Sequence, residues 1–230
     1  MALASEQVNS TLPCASFANM VSFDLDGWLA TAQPSPPIVQ AGAQVLRRRA
    51  FDVAPSLLRT PAFARLVEVM VEAMRAAPGV GLAAPQIGVP LRVFVAEDDA
   101  GRMAHQTVEA RGLRGRAPLA LTVLVNPRVV AASEEEAVFY EGCLSVRGYG
   151  ALVPRAAAVS VTGVDMNGGP VSLRFEGWPA RIMQHEMDHL DGTLYVDRML
   201  SRSLAGEEEL ARLSSLPVSD VIRDLQVRGD

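Results

Sequence analysis

Two of the three histidines in this chain, His185 and His189, stand four residues apart with a glutamate beside them, in Gln184-His185-Glu186-Met187-Asp188-His189. Residues four apart on an α-helix lie about one turn from each other, so both imidazoles can reach a single ion. Glu186 can then reach water held by that ion without being a ligand itself. A divalent metal acidifies its water toward neutral pH, and a nearby carboxylate can take and return the proton. The spacing therefore predicts a metal-dependent hydrolase site with its own general base.

Two imidazoles need at least one further protein ligand. Cys143, in Glu141-Gly142-Cys143-Leu144-Ser145, is the candidate, with a glycine before it and a strand leading in. A thiolate and two neutral imidazoles leave the fourth position of a tetrahedral ion for water, as a catalytic site requires. Upstream, Gly79-Val80-Gly81-Leu82-Ala83-Ala84-Pro85-Gln86-Ile87-Gly88 is glycine-rich, but it lacks the lysine and Ser/Thr of a phosphate loop. Gln86 is an amide donor in this otherwise apolar loop, suited to polarising a substrate carbonyl.

These residues must be held by elements that the pattern also predicts. From Pro61, the positions Phe63, Leu66, Val67, Met70, Val71 and Met74 follow helical spacing up to Pro78-Gly79. Strand candidates are Arg92 to Ala96, Leu121 to Val125, Ala137 to Tyr140, Ala157 to Val164 and Val171 to Phe175. Met166-Asn167-Gly168-Gly169 marks a tight hairpin between the last two, because Asn-Gly accepts positive φ. The HExxH helix is expected to begin after Gly177-Trp178-Pro179 and to stop near Asp191-Gly192. The result is an α+β arrangement, with short antiparallel strands packed around a central helix that carries the HExxH motif.

The ends are expected to lie outside this unit. Residues 1–37 are polar and rich in small residues, closing with Gln33-Pro34-Ser35-Pro36-Pro37, and read as an arm or linker on which Phe23, Leu25, Trp28 and Leu29 could dock. Residues 38–204 form the catalytic domain. Residues 205–230 read as a tail with an acidic helix at Glu207 to Leu213 and an otherwise solvated face. The charged stretch from Glu97 to Pro118 reads as a loop-like insert whose His105 is a solvated residue without ligand partners.

Composition narrows the function classes. In 230 residues, 49% are hydrophobic, enough for a packed core. The net charge of -5 gives no electrostatic footprint for nucleic acid, and only Arg47-Arg48-Arg49 clusters basic charge. All 21 basic residues are arginine, which reads as genome composition rather than chemistry. Cys14 and Cys143 are too few and too far apart for a disulfide framework. No apolar run is long enough to span a bilayer, so no membrane partner is expected. A cytoplasmic protein is the expectation, or a processed mitochondrial or plastid form in a eukaryotic source.

Taken together and in this order, GVGLAAPQIG, EGCLS and QHEMDH resemble peptide deformylase. The resemblance runs from about Val39 to Leu204 and is extended by Val153-Pro154-Arg155, Gly177-Trp178-Pro179-Ala180-Arg181-Ile182 and Asp191-Gly192-Thr193-Leu194-Tyr195. It implies removal of the formyl group from N-formylmethionyl peptides of newly made proteins, met near the ribosome exit, with release of formate. Cys143, His185 and His189 match the metal ligands, with ferrous iron the implied cellular ion and zinc, nickel or cobalt possible in a purified sample. Glu186 matches the acid/base, and Gln86 and the Leu144 N–H match the oxyanion donors. Gly81 matches a position against the substrate backbone, while Val80, Phe139, Trp178, Arg181, Ile182 and His185 fall where a methionine pocket is lined. Glu141 and Arg155 match a pair that braces the metal-bearing loop beside the substrate.

Two departures stand out against that pattern. Gly42-Ala43-Gln44-Val45-Leu46 replaces a common Gly-Asp-Pro-Val-Leu segment, and Gly150 stands where many relatives carry an arginine near the peptide groove. Two other readings remain open at this stage. An HExxH endopeptidase would need a downstream histidine or acid as third ligand, and no histidine follows His189. A noncatalytic metal-binding or ribosome-associated module would keep the fold but lose one of Glu186, Gln86 or Cys143. The sequence leaves monomer and homodimer equally open.

Overall fold

The computed structural model describes residues 23–33, 35–77, 79–104 and 107–226. Cys14 and His105 lie outside the described residues.

Helix α1 (Leu25–Thr31) is capped by Asp24, whose side chain accepts from the Gly27 N–H. It packs on α3 through Leu25, Trp28 and Leu29, so this part of the expected linker is a docked helix. A short α2 (Pro55–Leu58) leads to α3 (Pro61–Ala76), where Thr60 caps the Phe63 N–H and proline occupies the first turn, as its fixed φ favours. The face of α3 bearing Phe63, Leu66, Val67, Met70, Ala73 and Met74 is buried against Leu82, Val93 and Val95.

Five strands form the larger sheet: β1 (Gly81–Ala83), β2 (Val93–Asp98), β3 (Leu119–Ala132), β6 (Ala158–Val164) and β7 (Pro170–Glu176), paired antiparallel in the order β1-β2-β3-β6-β7. The β6–β7 turn carries Gly168 at φ +85°, the conformation that the Asn-Gly pair announces. Between β2 and β3 the charged insert is more ordered than its composition suggests, with α4 (Ala100–Met103) and α5 (Val108–Leu113).

The smaller sheet pairs β4 (Glu136–Cys143) with β5 (Val146–Ala156), and β5 with the two-residue β8 (Ala205–Gly206). Strand β5 is not among the expected strands; its glycines at 148 and 150 break the alternating pattern that reveals a strand. Beyond β8, α7 (Glu207–Leu213) matches the expected acidic helix, followed by α8 (Val218–Asp224). These helices are not a solvated tail. Leu213 and Val221 are buried with Leu152 of β5 and Ala205.

Helix α6 (Gly177–Leu190) lies between the two sheets. Its apolar face, with Met183, Met187 and Leu190, packs on Phe94, Leu124, Val159 and Val161 of the large sheet. At 100° per residue, Arg181, His185, Asp188 and His189 project from the opposite side. That side meets β4 and β5. The chain leaves α6 through Gly192 at φ +76°, where a side chain would collide with the Arg47–Arg48 backbone, 2.8 Å away.

Candidate metal centre and active site

Cys143 ends β4 and is followed by the two-residue turn Leu144-Ser145 before β5, with Cys143 paired to Val146. The turn presents the thiol toward α6. Cys143 Sγ lies 3.2 Å from His189 Nε2, and one ligand atom from each of Cys143, His185 and His189 lies within 4.8 Å of the others. One sulfur and two imidazole nitrogens at that separation fit a single ion that prefers nitrogen and sulfur, with bonds of about 2.0 to 2.3 Å. His189 Nδ1 and Glu186 Oε2 are buried without a hydrogen-bond partner among the described residues, as polar groups beside a ligand site are.

The ring of His185 is fixed from behind. Its Nδ1 is 3.0 Å from Glu141 Oε2, which turns Nε2 toward Cys143. The Arg155 guanidinium grips the same carboxylate at both oxygens, Nε to Oε1 at 3.0 Å and Nη2 to Oε2 at 2.9 Å, and Arg181 Nη1 adds a contact at 2.6 Å. Arg155 also holds Asp188 at 2.5 Å, and Arg198 closes on Asp188 with two contacts of 2.7 Å. Glu141 and Arg155 meet because Glu141 pairs with Ala151 and Arg155 with Ala137, which puts both side chains on the α6 face of the hairpin.

This network sets the charges. Burial opposes ionisation of Glu141, but hydrogen bonds from His185 and Arg155 outweigh it and hold the carboxyl well below the usual carboxylate range. His185 is pushed up, because contacts with Cys143 and Glu141 overcome its burial, while burial and the neighbouring His185 push His189 down. Glu186 is raised to about 7, mainly by burial. Such a carboxyl is poised to gain and lose a proton near neutral pH.

Gly81 lies directly against Glu186: a β-carbon there would sit 2.6 Å from the carboxyl carbon. Gln86 is buried, and its orientation is set by Ala83, whose N–H donates to Oε1 at 2.8 Å. Its Nε2 therefore points at Cys143 Sγ (3.6 Å) and Ser145 Oγ (3.3 Å). The turn bearing Leu144 is strapped from the N-terminal side, where Gln40 Nε2 donates to the Leu144 carbonyl at 3.0 Å and the Ala41 N–H to that of Ser145 at 2.7 Å.

A cavity of about 120 Å³ opens beside Glu186 and His185, lined by Val80, Gly81, Glu141, Trp178, Arg181 and Ile182. Phe139 is not among its walls. It packs edge-on against Trp178, with ring centres 6.3 Å apart, and lines a different cavity of about 430 Å³. A longer groove of about 850 Å³ runs from Cys143 and Leu144 past Tyr149 to Glu207 and Leu210. Sequence reading missed Asp188 and Arg198 as supports of the site. Asp188 lies inside the motif, on the helix face shared with His185, and that spacing was the available signal.

Comparison with known proteins agrees with this geometry. The family model for polypeptide deformylase matches residues 35–204. Peptide deformylase 3 of Streptomyces avermitilis is 46% identical over 222 residues, covering 95% of both chains. Peptide deformylase 1 of Streptomyces coelicolor is 52% identical over 185 residues, covering 79% of this chain and 81% of its own. Chloroplastic and mitochondrial deformylases are among the relatives as well. The class I type b peptide deformylase from Acinetobacter baumannii, solved with Met-Ala-Ser bound, superposes with a TM-score of 0.64 at 33% identity, over 71% of this chain and 98% of that one. No helix of the described residues is long and apolar enough to cross a membrane. The chain belongs to the peptide deformylase family, metal-dependent hydrolases that remove the N-terminal formyl group from nascent peptides.

Proposed function

We propose that Cys143, His185 and His189 hold one divalent ion, ferrous iron in the cell, and that Glu186 carries the protons of formyl hydrolysis. The observation that carries this reading is the convergence of the three donor atoms within 4.8 Å beside a buried Glu186 oxygen with no partner among the described residues. A divalent ion at this position supplies Lewis acidity and makes water nucleophilic at neutral pH. Zinc, nickel or cobalt suits the same donor set.

The chain's own groups divide the remaining work. Glu186 takes a proton from the attacking water as the new C–O bond forms at the formyl carbon. As the C–N bond breaks, Glu186 returns that proton to the leaving amine, and formic acid departs, giving its remaining acidic proton to solvent to become formate. The Gln86 amide and the Leu144 N–H donate to the oxygen that becomes negative in between. Gly81 leaves room for Glu186 and lets a peptide backbone approach. The cavity beneath Trp178, Val80 and Ile182 receives the methionine side chain, consistent with the Met-Ala-Ser held by the Acinetobacter baumannii relative. The following residues run along the groove past Leu144. The substrates are formylmethionyl chains emerging from the ribosome, in the bacterial cytoplasm or an organellar matrix.

The test is formate release from formyl-Met-Ala by anaerobically purified protein, alongside Glu186→Ala. Activity in the parent and a loss of about 100-fold or more in the variant are expected. No formate from the parent with iron, nickel or cobalt supplied would reject the activity, and an equally active variant would reject the acid/base.

A further inference from the structure

Trp178 lines the 120 Å³ cavity beside Glu186, and a second cavity of 430 Å³, lined by Leu113, Arg114, Phe139 and Gly177, lies nearby, with Arg181 bordering both. What holds the indole in place therefore bears on the shape of the methionine pocket. The insert between β2 and β3 does much of that holding. The Trp178 backbone N–H donates to the Gly115 carbonyl at 3.2 Å, and Gly115 and Gly177 pack so closely that a β-carbon on Gly177 would lie 3.0 Å from Gly115 Cα. This contact delivers two guanidiniums to the ring, Arg114 at 5.4 Å and Arg116 at 5.7 Å from its centre.

The two arginines differ. Arg116 is locked to the fully buried Asp98 by bonds of 2.7 and 2.9 Å, and so anchors the insert to β2. Arg114 has no carboxylate within ion-pair distance among the described residues, and its one hydrogen bond is a long contact of 3.5 Å to the Ser214 carbonyl. Its cation is spent on the indole face, where cation–π attraction favours a fixed ring. Trp178 Nε1 is buried without a partner among the described residues, so no hydrogen bond pins the outer edge of the ring. Arg116, Arg181 at 5.8 Å and the edge of Phe139 also touch the ring, so loss of the Arg114 contact loosens the indole without releasing it and widens the range of its positions at the pocket wall.

We propose that Arg114 is a specificity-positioning residue: from the insert, it presses Trp178 into place as the end wall of the side-chain pocket and limits the length of the first residue accepted. This rests on the deformylase reading of the site. It assigns the insert a role in substrate choice that no group touching the substrate carries alone.

The experiment compares the parent, Arg114→Ala, Arg114→Met and Arg114→Lys on formyl-Met-Ala and on formyl peptides whose first residue is a longer straight-chain homologue such as 2-aminooctanoate. The ratio of kcat/KM for the long homologue to that for methionine is expected to rise about fivefold in the alanine and methionine variants, and to return toward the parent value with lysine. In a Trp28→Phe background, acrylamide quenching of Trp178 is expected to rise in the same two variants. An unchanged ratio with unchanged quenching overturns the proposal, as does an equal loss on both substrates. A parent that releases no formate from formyl-Met-Ala fails the activity reading instead, and the quenching data then judge the Arg114 contact by itself.

Discussion

Glu141 Oε2 and His185 Nδ1 are 3.0 Å apart, and the same carboxylate is gripped by Arg155 and Arg181. Glu141 thus both lines the 120 Å³ cavity and holds the ring of His185. It decides which nitrogen of His185 faces Cys143.

Glu141→Ala leaves the buried Arg181 without its carboxylate, Arg155 with Asp188 alone, and the His185 ring unheld. Losing one partner of a buried ion pair costs about 3 to 5 kcal/mol. Removing the group that orients a metal-binding histidine weakens metal affinity by roughly 10- to 100-fold. Glu141→Gln keeps the shape and is expected to lose less of both. Thermal unfolding and titration against a competing chelator measure the two effects, and full metal affinity in the alanine variant would contradict the assignment.

Glu186 gives the metal-free protein a pH signature. Its folded pKa is raised from 4.5 to about 7 by burial, so the folded state holds this proton more tightly than the unfolded chain does. The stability it contributes is fully present below pH 4.5 and is lost as pH rises to about 7, a fall of roughly 3 kcal/mol. Glu186→Gln cannot release a proton and is expected to lack that fall. Urea unfolding of chelator-treated protein at pH 5 and pH 8 checks it, and parallel behaviour of parent and variant would sink the idea.

Gly81→Ala places a methyl group 2.6 Å from the Glu186 carboxyl carbon. The backbone of β1 is paired with β2 and cannot yield, so the carboxylate must move. A fall in kcat of about 100-fold or more is expected, with metal content unchanged, if Glu186 handles protons without binding the ion, as proposed. Steady-state kinetics with metal analysis on one preparation separate this from a general loss of folding.

Cys143→Ser tests the third ligand. Serine is a poor donor where a thiolate is expected, so metal content after dialysis should drop well below one ion per chain. Unchanged stoichiometry and affinity would remove Cys143 from the ligand set.

Gly150→Arg is expected to destabilise this protein. A β-carbon at Gly150 would meet Leu210 of α7 at 2.6 Å and the Glu141 carbonyl at 2.9 Å. Crowding of this kind costs about 1 to 3 kcal/mol. A variant with the parent's unfolding midpoint would show that α7 gives way freely.

The sequence alone determined the groups whose chemistry depends on local spacing. His185, Glu186 and His189 fall on neighbouring helical positions because an α-helix repeats every 3.6 residues, and Asn167-Gly168 makes its turn because glycine tolerates positive φ. What only the tertiary structure decided depends on strand register and on contacts between distant segments. Nothing local to Arg181 says that its guanidinium reaches Glu141, 40 residues away, and nothing in the insert says that Arg114 meets Trp178. The three helices α1, α7 and α8 likewise lie in segments that read as polar ends, because a seven-residue helix shows too few turns to display its buried stripe. Their place is set by the apolar surfaces of α3 and β5 that they cover.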